Sequence, residues 1–193
     1  LRSYRRLLMD RRFLRYLAIA SLAFCGLFAF VSGSSFVMQG IYGLSPIVYG
    51  LIFGAMAGGY VAGSITGGRL VRKLGIDGTL RFGGFCAALG GLLMLTALML
   101  TPSALAIALP VVIYGFAMGA TMPQAMAGAL TPFPDIAGTA SSLLGFLQSA
   151  AGALAGVYVG YGSEASAMPM VAVIAAGGAS AFAIAMSGRG KKA

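Results

Sequence analysis

Side chains that could transfer protons, bind metals or act as nucleophiles are few in this sequence of 193 residues. Histidine is absent, and the two cysteines, Cys25 and Cys86, lie in apolar stretches where a thiol acts as a small hydrophobic group. The acidic residues all map to loops or flanks: Asp10, Asp77, Asp135 and Glu164. The sequence therefore offers no metal site, no cofactor site and no catalytic cluster, and it predicts a protein that is not an enzyme.

Gln148 is a polar side chain deep within a long apolar stretch. In hydrocarbon, an amide without a hydrogen-bond partner is costly. This side chain therefore either bonds to a neighbouring helix or faces a wet cavity, and the sequence leaves both alternatives open.

The elements that must position these side chains are six apolar stretches. The composition is 59% hydrophobic and 9% charged, with a mean hydropathy of +0.93, whereas a soluble domain has about 25% charged residues. About 20 apolar residues suffice for a helix to cross the hydrocarbon core. We therefore predict an all-α membrane protein whose six transmembrane helices form one bundle over residues 15–188. The predicted spans are 15–37, 47–70, 80–100, 105–130, 139–161 and 170–186, followed by a basic tail at 189–193.

The basic residues predict the orientation of these spans. They form three groups, which precede the first span, separate the second from the third, and follow the sixth. Because cytoplasmic loops carry such an excess of Lys and Arg, both termini are predicted to be cytoplasmic. The net charge of +9 does not indicate nucleic acid binding, since it abuts apolar spans where it would meet anionic lipid head groups. The groups are Arg2, Arg5, Arg6, Arg11, Arg12 and Arg15; Arg69, Arg72, Lys73 and Arg81; and Arg189, Lys191 and Lys192.

Residues 1–14 differ from the spans that follow. Arginines surround Tyr4, Leu7 and Leu8, which fall near one face of a helix. This pattern predicts a short basic amphipathic helix on the cytoplasmic membrane surface, and the alternative is an irregular solvated lead-in. Because the first residue is Leu1 rather than Met, we expect the chain to be a piece of a longer protein.

Small residues at helical spacing predict close packing of the second and fifth spans. Rows of glycine let two helix backbones approach, because no side chain intervenes. The alternative is a general abundance of glycine, with 30 in the chain. The residues are Gly50, Gly54 and Gly58 in one row, Gly59, Gly63 and Gly67 in another, and Gly138 and Gly145 in the fifth span.

Three segments carry a resemblance to a known family. TPFPDIAGTASSLLGFLQ (131–148) is very similar to the start of the eleventh helix of the Bcr/CflA drug-resistance transporters, which are proton antiporters of the major facilitator superfamily. Segments 4–16 and 26–46 are similar to that family's central linker and seventh helix. The chain therefore resembles the C-terminal six-helix half of such a transporter, with part of the linker.

The segment GRLVRKLG (68–75) stands where that family has its second copy of the loop motif G-x-L-x-D-R-x-G. It keeps Gly68, Leu70 and Gly75. Arg72 stands in place of the acidic residue, and Lys73 replaces the following arginine. This departure argues against a charge-relay gating role and leaves cytoplasmic anchoring as the predicted role.

The resemblance also implies a cavity wall. In the superfamily, the first and fourth helices of each bundle line a central cavity, the second and fifth contact the other bundle, and the third and sixth face lipid. Aromatic and Met side chains suit small amphipathic or cationic drug-like molecules. For each candidate the alternative is ordinary interhelical packing. The candidates are Phe28, Ser32 and Phe36 on the first helix, Tyr114, Met118 and Met122 on the fourth, and Gln148 on the fifth.

The function implied by this resemblance is one wall of the drug cavity in a proton-coupled antiporter of the bacterial inner membrane. Because no acid lies at mid-membrane, the coupling carboxylate is expected to belong to another segment. Expected partners are the lipid bilayer, drug-like molecules, and an N-terminal six-helix half or a second copy of this chain. The alternatives are a naturally short six-helix protein that works as a homodimeric transporter, and a non-transporting membrane scaffold.

Overall fold

Helices account for every regular element in the computed structural model, which describes residues 2–162 and 166–188. Five of the helices are long and apolar enough to cross a membrane. The predicted all-α membrane fold is therefore confirmed. The helices are α1 (Arg2–Met9), α2 (Arg11–Ser35), α3 (Pro46–Leu100), α4 (Ala104–Leu130), α5 (Ala137–Gly162) and α6 (Met168–Ser187).

Side-chain caps fix where three of these helices begin. The Asp10 carboxylate accepts two backbone N–H bonds at the start of α2. Ser45 caps α3, whose first residue is Pro46, and Ser103 caps α4. Such caps satisfy backbone donors that have no partner within the helix. At its other end α2 continues into a widened π-type segment, Phe36–Ile41.

The connection between the second and third predicted spans differs from the prediction. A loop is predicted at residues 71–79, whereas the structure is helical on both sides of Gly75. Within α3, only Gly75 has non-helical torsions (φ 68°). The other residues of this segment can all adopt helical torsions, and only glycine takes positive φ without steric cost. Gly75 therefore divides α3 into a first arm, residues 46–74, and a second arm, residues 76–100.

The bend at Gly75 reverses the chain. Along the first arm, Gly59 and Gly67 lie beside Val112 and Ala120 of α4, so the two helices run parallel. Along the second arm the order is opposite, because Gly83 lies beside Ala117 whereas Gly90 lies beside Tyr114. A straight helix of 55 residues would be about 80 Å long, far more than the hydrocarbon core of about 30 Å. The two arms are therefore two antiparallel spans, which gives the six that the sequence predicts.

Backbone-to-backbone contact joins the first arm of α3 to α4. A methyl group on Gly59 would lie 2.6 Å from the Val112 carbonyl oxygen, and one on Gly67 would lie 2.9 Å from Cα of Ala120. Between them, Gly63 leaves no room for a side chain against the Phe116 backbone. On α4, Gly115 and Gly119 lie against the backbone of the first arm in the same way. The two helices are thus in contact over about three turns with almost no side chains between them.

The other glycine row of the first arm has no neighbour within the described chain. No atom lies within 4 Å of where a side chain would begin at Gly50, Gly54 or Gly58. Gly138 and Gly145 on α5 have the same open surroundings. The sequence predicts close packing at both glycine rows of the second span, but within the described residues only the row of Gly59, Gly63 and Gly67 packs on another helix, α4.

α2 lies at the centre of the arrangement. It contacts α4 where the Tyr114 ring fills the space left by Gly26, and it contacts α6 where Gly177 lies against the Leu22 carbonyl. Its third neighbour is α5, at Gly152. α6 in turn packs on the second arm of α3. The two helices with the most open surface are thus the first arm of α3 and α5.

The two glycine rows of the first arm provide a matched pair of substitutions. Gly63→Ala forces a methyl group against the Phe116 carbonyl and should lower the free energy of unfolding by about 1–3 kcal/mol. Gly58→Ala meets open space and should raise it by up to about 1 kcal/mol, because alanine favours helix more than glycine does. Thermal unfolding in detergent measures both. Equal effects from the two substitutions would show that this contact does not hold the bundle together.

Candidate functional site

The first-helix candidates Phe28 and Ser32 lie along the contact between α2 and α5. A methyl group on Gly152 would lie 3.2 Å from the Phe28 ring, and one on Gly156 would lie 2.7 Å from the Ser32 hydroxyl oxygen. The Phe24 ring, 4.7 Å from the Phe28 ring between centroids, packs on Gly152 as well. We call this contact the α2–α5 seam. It presents two aromatic rings and a hydroxyl beside the bare backbone of α5.

Gln148 lies on α5 one turn before Gly152, near the same helix face. Its residue is 8% exposed, and its amide oxygen Oε1 accepts no hydrogen bond from any residue that the structure describes. Of the two alternatives left open by the sequence, a hydrogen bond donated to this oxygen by a neighbouring helix is thus not found among the described residues. A carboxamide oxygen has two lone pairs, and no described residue uses those of Gln148, although less than 1 Å² of this oxygen is exposed.

The fourth-helix candidates lie inside the bundle. Tyr114 and Met118 are buried, and the Tyr114 hydroxyl donates a 3.2 Å hydrogen bond to the Ala23 carbonyl of α2. Met122 is also buried, whereas Phe36 is 53% exposed at the start of the π-type segment. The structure thus brings Phe28 and Ser32 together with the α5 stripe that carries Gln148, and it places Tyr114, Met118 and Phe36 elsewhere.

Two further features near the candidate residues are not predicted from the sequence. Met126 follows Met122 by one turn and is 39% exposed, so the methionine stripe of α4 reaches the surface at its far end. The i, i+4 spacing of the Met residues could have identified it. A hydrogen bond of 3.0 Å between the Ser34 and Tyr49 hydroxyls joins α2 to the first arm of α3. No periodicity in the sequence indicates that second pair, because it depends on how the two helices cross.

A cluster of charged and polar groups joins three helices at one end of the bundle. The Arg15 guanidinium lies 2.9 Å from an Asp77 carboxylate oxygen, and the Tyr16 hydroxyl donates to the same oxygen at 3.0 Å. Arg15 also donates to the Ile184 and Ala185 carbonyls in the last turn of α6. These groups are partly buried. Arg15 thereby connects α2, the bend of α3 and the end of α6, and we call this the arginine end.

The loop-motif residues lie at the arginine end, around the bend of α3. Gly75 forms the bend itself, Gly68 is surrounded by open space, and Leu70 is half-buried. Arg72 and Lys73 are exposed and form no ion pair with the described residues. Anchoring by this segment therefore stays a prediction. Two groups of charges lie outside the described residues: Arg189, Lys191 and Lys192, which support the predicted orientation, and Glu164, which is predicted to lie in a loop.

Comparison with known proteins gives one family and several relatives. The family model described as Major Facilitator Superfamily matches residues 1–156. The chain is 32% identical over 168 residues to the uncharacterized MFS-type transporter YdgK of Bacillus subtilis (strain 168). That alignment covers 87% of this chain and 42% of YdgK. It is 34% identical over 177 residues to the bicyclomycin resistance protein homolog of Haemophilus influenzae, covering 88% of this chain and 43% of the relative.

A third relative is multidrug resistance protein D of Escherichia coli (strain K12), with 30% identity over 151 residues. That alignment covers 77% of this chain and 38% of the relative. The chain thus spans less than half the length of each of these curated relatives.

The arginine end allows a direct test of what Arg15 contributes. Arg15→Gln removes the ion pair with Asp77 and two hydrogen bonds to carbonyls of α6, so the free energy of unfolding should fall by about 1–3 kcal/mol. The matched control is Arg69→Gln, which removes an exposed arginine that has no ion pair with the described residues and should change it by less than about 0.5 kcal/mol. Chemical unfolding in detergent measures the difference. A loss no greater than that of the control would exclude Arg15 as a structural connection.

Proposed function

Because the chain belongs to the Major Facilitator Superfamily, we propose that it is one half of a secondary active multidrug efflux transporter. The observation that carries the proposal is the pair of open glycine faces on the first arm of α3 and on α5. Two relatives are named for bicyclomycin resistance and for multidrug resistance, and each is more than twice as long as the matched segment. A second six-helix bundle is the partner that these lengths suggest.

The open faces suit contact with another bundle. Gly50, Gly54 and Gly58 repeat every four residues, which is the spacing that allows two backbones in hydrocarbon to approach closely. Gly138 and Gly145 offer a similar surface on α5. The resemblance stated above assigns these same two helices to the interface between halves. The partner we propose is an N-terminal six-helix half.

A second copy of this chain is the alternative partner. The same glycine rows would then meet their equivalents across a two-fold axis, as in any isologous dimer. The two proposals differ in which surface covers the first arm of α3, so one experiment can separate them.

The orientation we propose places the arginine end in the cytoplasm of a bacterial inner membrane. Arg15, Arg72 and Lys73 all lie at that end of the described bundle. Because Lys and Arg are retained on the cytoplasmic side during insertion, both termini would lie on that side. The second arm of α3 and α6 would face lipid.

The substrate wall we propose runs along the α2–α5 seam. Phe28 supplies an aromatic ring, Ser32 a hydroxyl and Gln148 an unused acceptor, which together suit an amphipathic cation with a hydrogen-bond donor. On α4, Met122 is buried and Met126 is partly exposed, so we propose Met126 as the point where the methionine stripe meets substrate. Tyr114 and Met118 would support this wall from inside the bundle, and Phe36 would lie at its opposite end.

Proton coupling, if this half belongs to an antiporter, requires a carboxylate from the partner half. Each described acid already has a hydrogen-bond or ion-pair partner: Asp10 caps α2, Asp77 pairs with Arg15, and Asp135 pairs with Arg6. No acid within the described residues lies along the middle of a span. The carrier of the proton is therefore proposed to lie outside this chain.

The partner is tested by cysteine crosslinking in native membranes. With Cys25 and Cys86 replaced by alanine, Gly54→Cys and Gly145→Cys, each labelled with a thiol-reactive photocrosslinker, should crosslink to an N-terminal six-helix half encoded in the same reading frame. The matched control is Leu92→Cys, which lies exposed on the second arm of α3 and should stay unlinked. Crosslinks between two copies of this chain would instead support the homodimer. Crosslinking no greater than that of the control would contradict both forms of the proposal.

The substrate wall is tested by Gln148→Leu in the complete protein. This change should lower resistance to cationic amphipathic compounds about tenfold, the factor expected from loss of one hydrogen bond to a charged group. It should not lower thermal stability, because leucine removes an acceptor that has no partner in the described chain. Phe28→Ala should narrow the range of compounds, and Leu154→Ala, on the exposed side of α5, is the control. Unchanged minimum inhibitory concentrations for every compound would remove Gln148 from the wall.

A further inference from the structure

The short helix α1 is held against the bundle rather than projecting from it. Leu7 is fully buried, and the Arg6 guanidinium pairs with Asp135, in the connection between α4 and α5. The same guanidinium lies 5.4 Å from the centre of the Phe133 ring, which packs edge-on against Phe13 of α2. Residues 2–12 therefore form a fixed elbow at the start of α2, and their side chains have defined positions relative to the bundle.

Four arginines of this elbow have no counter-charge in the described chain. All four are exposed and form no ion pair with the described residues. They are Arg2 and Arg5 on α1, and Arg11 and Arg12 on α2. The one acid between them, Asp10, accepts two backbone N–H bonds as the cap of α2. The elbow is thus a concentrated positive surface.

The placement of Arg11 and Arg12 strengthens this point. They occupy the first turn of α2, which contains no acid. The N-terminus of a helix carries partial positive charge, so cations there are unfavourable unless an anion lies close by. The Asp10 carboxylate caps this end of α2, but one carboxylate does not balance the four arginines, so a net positive charge remains that favours an anionic ligand.

An apolar flank lies next to these arginines. Tyr4 and Leu8 are one turn apart on α1 and are both exposed, at the open edge of the apolar face whose other member, Leu7, is buried against the bundle. Arg5 follows Tyr4 directly. An amphipathic helix with exposed apolar groups beside arginines is typical of a helix that lies at the boundary between acyl chains and head groups. A soluble anion would use the arginines but would leave Tyr4 and Leu8 in water.

We propose that the elbow formed by residues 2–12 binds the phosphate groups of anionic phospholipids. The guanidinium groups of Arg2, Arg5, Arg11 and Arg12 donate paired hydrogen bonds to phosphate oxygens, a geometry that arginine provides and lysine does not. Tyr4 and Leu8 enter the acyl boundary beside the head group. This site is independent of whether the bundle transports drugs, since it involves neither the α2–α5 seam nor the open glycine faces.

The test uses the protein expressed from its natural reading frame and placed in nanodiscs of phosphatidylcholine with a minor fraction of spin-labelled phosphatidylglycerol. The natural protein should enrich the labelled lipid at its surface. The combined variant Arg2→Gln, Arg5→Gln, Arg11→Gln and Arg12→Gln should lower the association constant at least about fivefold, the factor expected for even one arginine near anionic lipid. Spin-labelled phosphatidylcholine should show no difference between the two proteins.

A matched control separates a site from general attraction. The variant Arg69→Gln, Arg72→Gln and Lys73→Gln also removes exposed cations from the arginine end, and it should leave most of the enrichment in place. Equal losses in the two variants would overturn the proposal in favour of non-specific attraction. The elbow arginines make no ion pair with described residues, so unfolding temperatures in detergent should be unchanged and confirm that the variants fold.

Two further arms distinguish the lipid from other anions. Tyr4→Ser with Leu8→Ser should weaken lipid enrichment although every arginine remains. Inorganic phosphate, added to nanodiscs of phosphatidylcholine alone, should not raise the unfolding temperature of the natural protein, whereas phosphatidylglycerol should raise it. Two results together would overturn the proposal: phosphate stabilises the protein as much as the lipid does, and the serine variant keeps full lipid enrichment. They would show an anion site that does not recognise lipid.

Discussion

The rest of the structure depends on the close approach of two helix backbones, those of the first arm of α3 and α4. In a membrane, burying apolar side chains against each other gains little, because lipid tails are equally apolar. The stabilising interaction is then the dense van der Waals contact that two backbones make where no side chain separates them. Three glycines of the first arm make this contact with α4: Gly59 with Val112, Gly63 with Phe116 and Gly67 with Ala120. α4 is thereby fixed beside α3 on one side, and its opposite side is filled by the Tyr114 ring against α2.

Much of this fold could be predicted from the sequence because hydrocarbon imposes simple rules. Length and hydropathy located the spans, since every backbone polar group in lipid must be satisfied within a helix. The spacing of the glycines showed that helices would approach closely, but it could not say which row would meet a neighbour. Gly58 and Gly59 are adjacent in sequence but lie in different surroundings, open space and α4 respectively. Which of them contacts a neighbour is determined by how α3 and α4 cross.

The remaining differences from the sequence analysis have similar physical causes. The sequence predicts a loop at residues 71–79, between two apolar spans, yet one residue of positive φ, Gly75, is enough to reverse the chain. The Tyr114 stripe has the chemistry of a binding surface, but whether an aromatic residue faces a cavity or a neighbouring helix depends on tertiary packing. Gln148 was recognised as unusual because it is polar, and its missing partner became visible only with the positions of α2 and α5.

Gly75 has a mechanical consequence for the bundle. A turn made by a single residue has no slack, so the two arms of α3 cannot slide past each other along the membrane normal. The first arm carries the open glycine face, and the second arm packs against α6. A displacement of the first arm along its own axis is therefore passed on to the second arm, which packs on α6. The bend therefore couples the position of the open glycine face to that of α6, and it lies two residues from Asp77, which Arg15 binds.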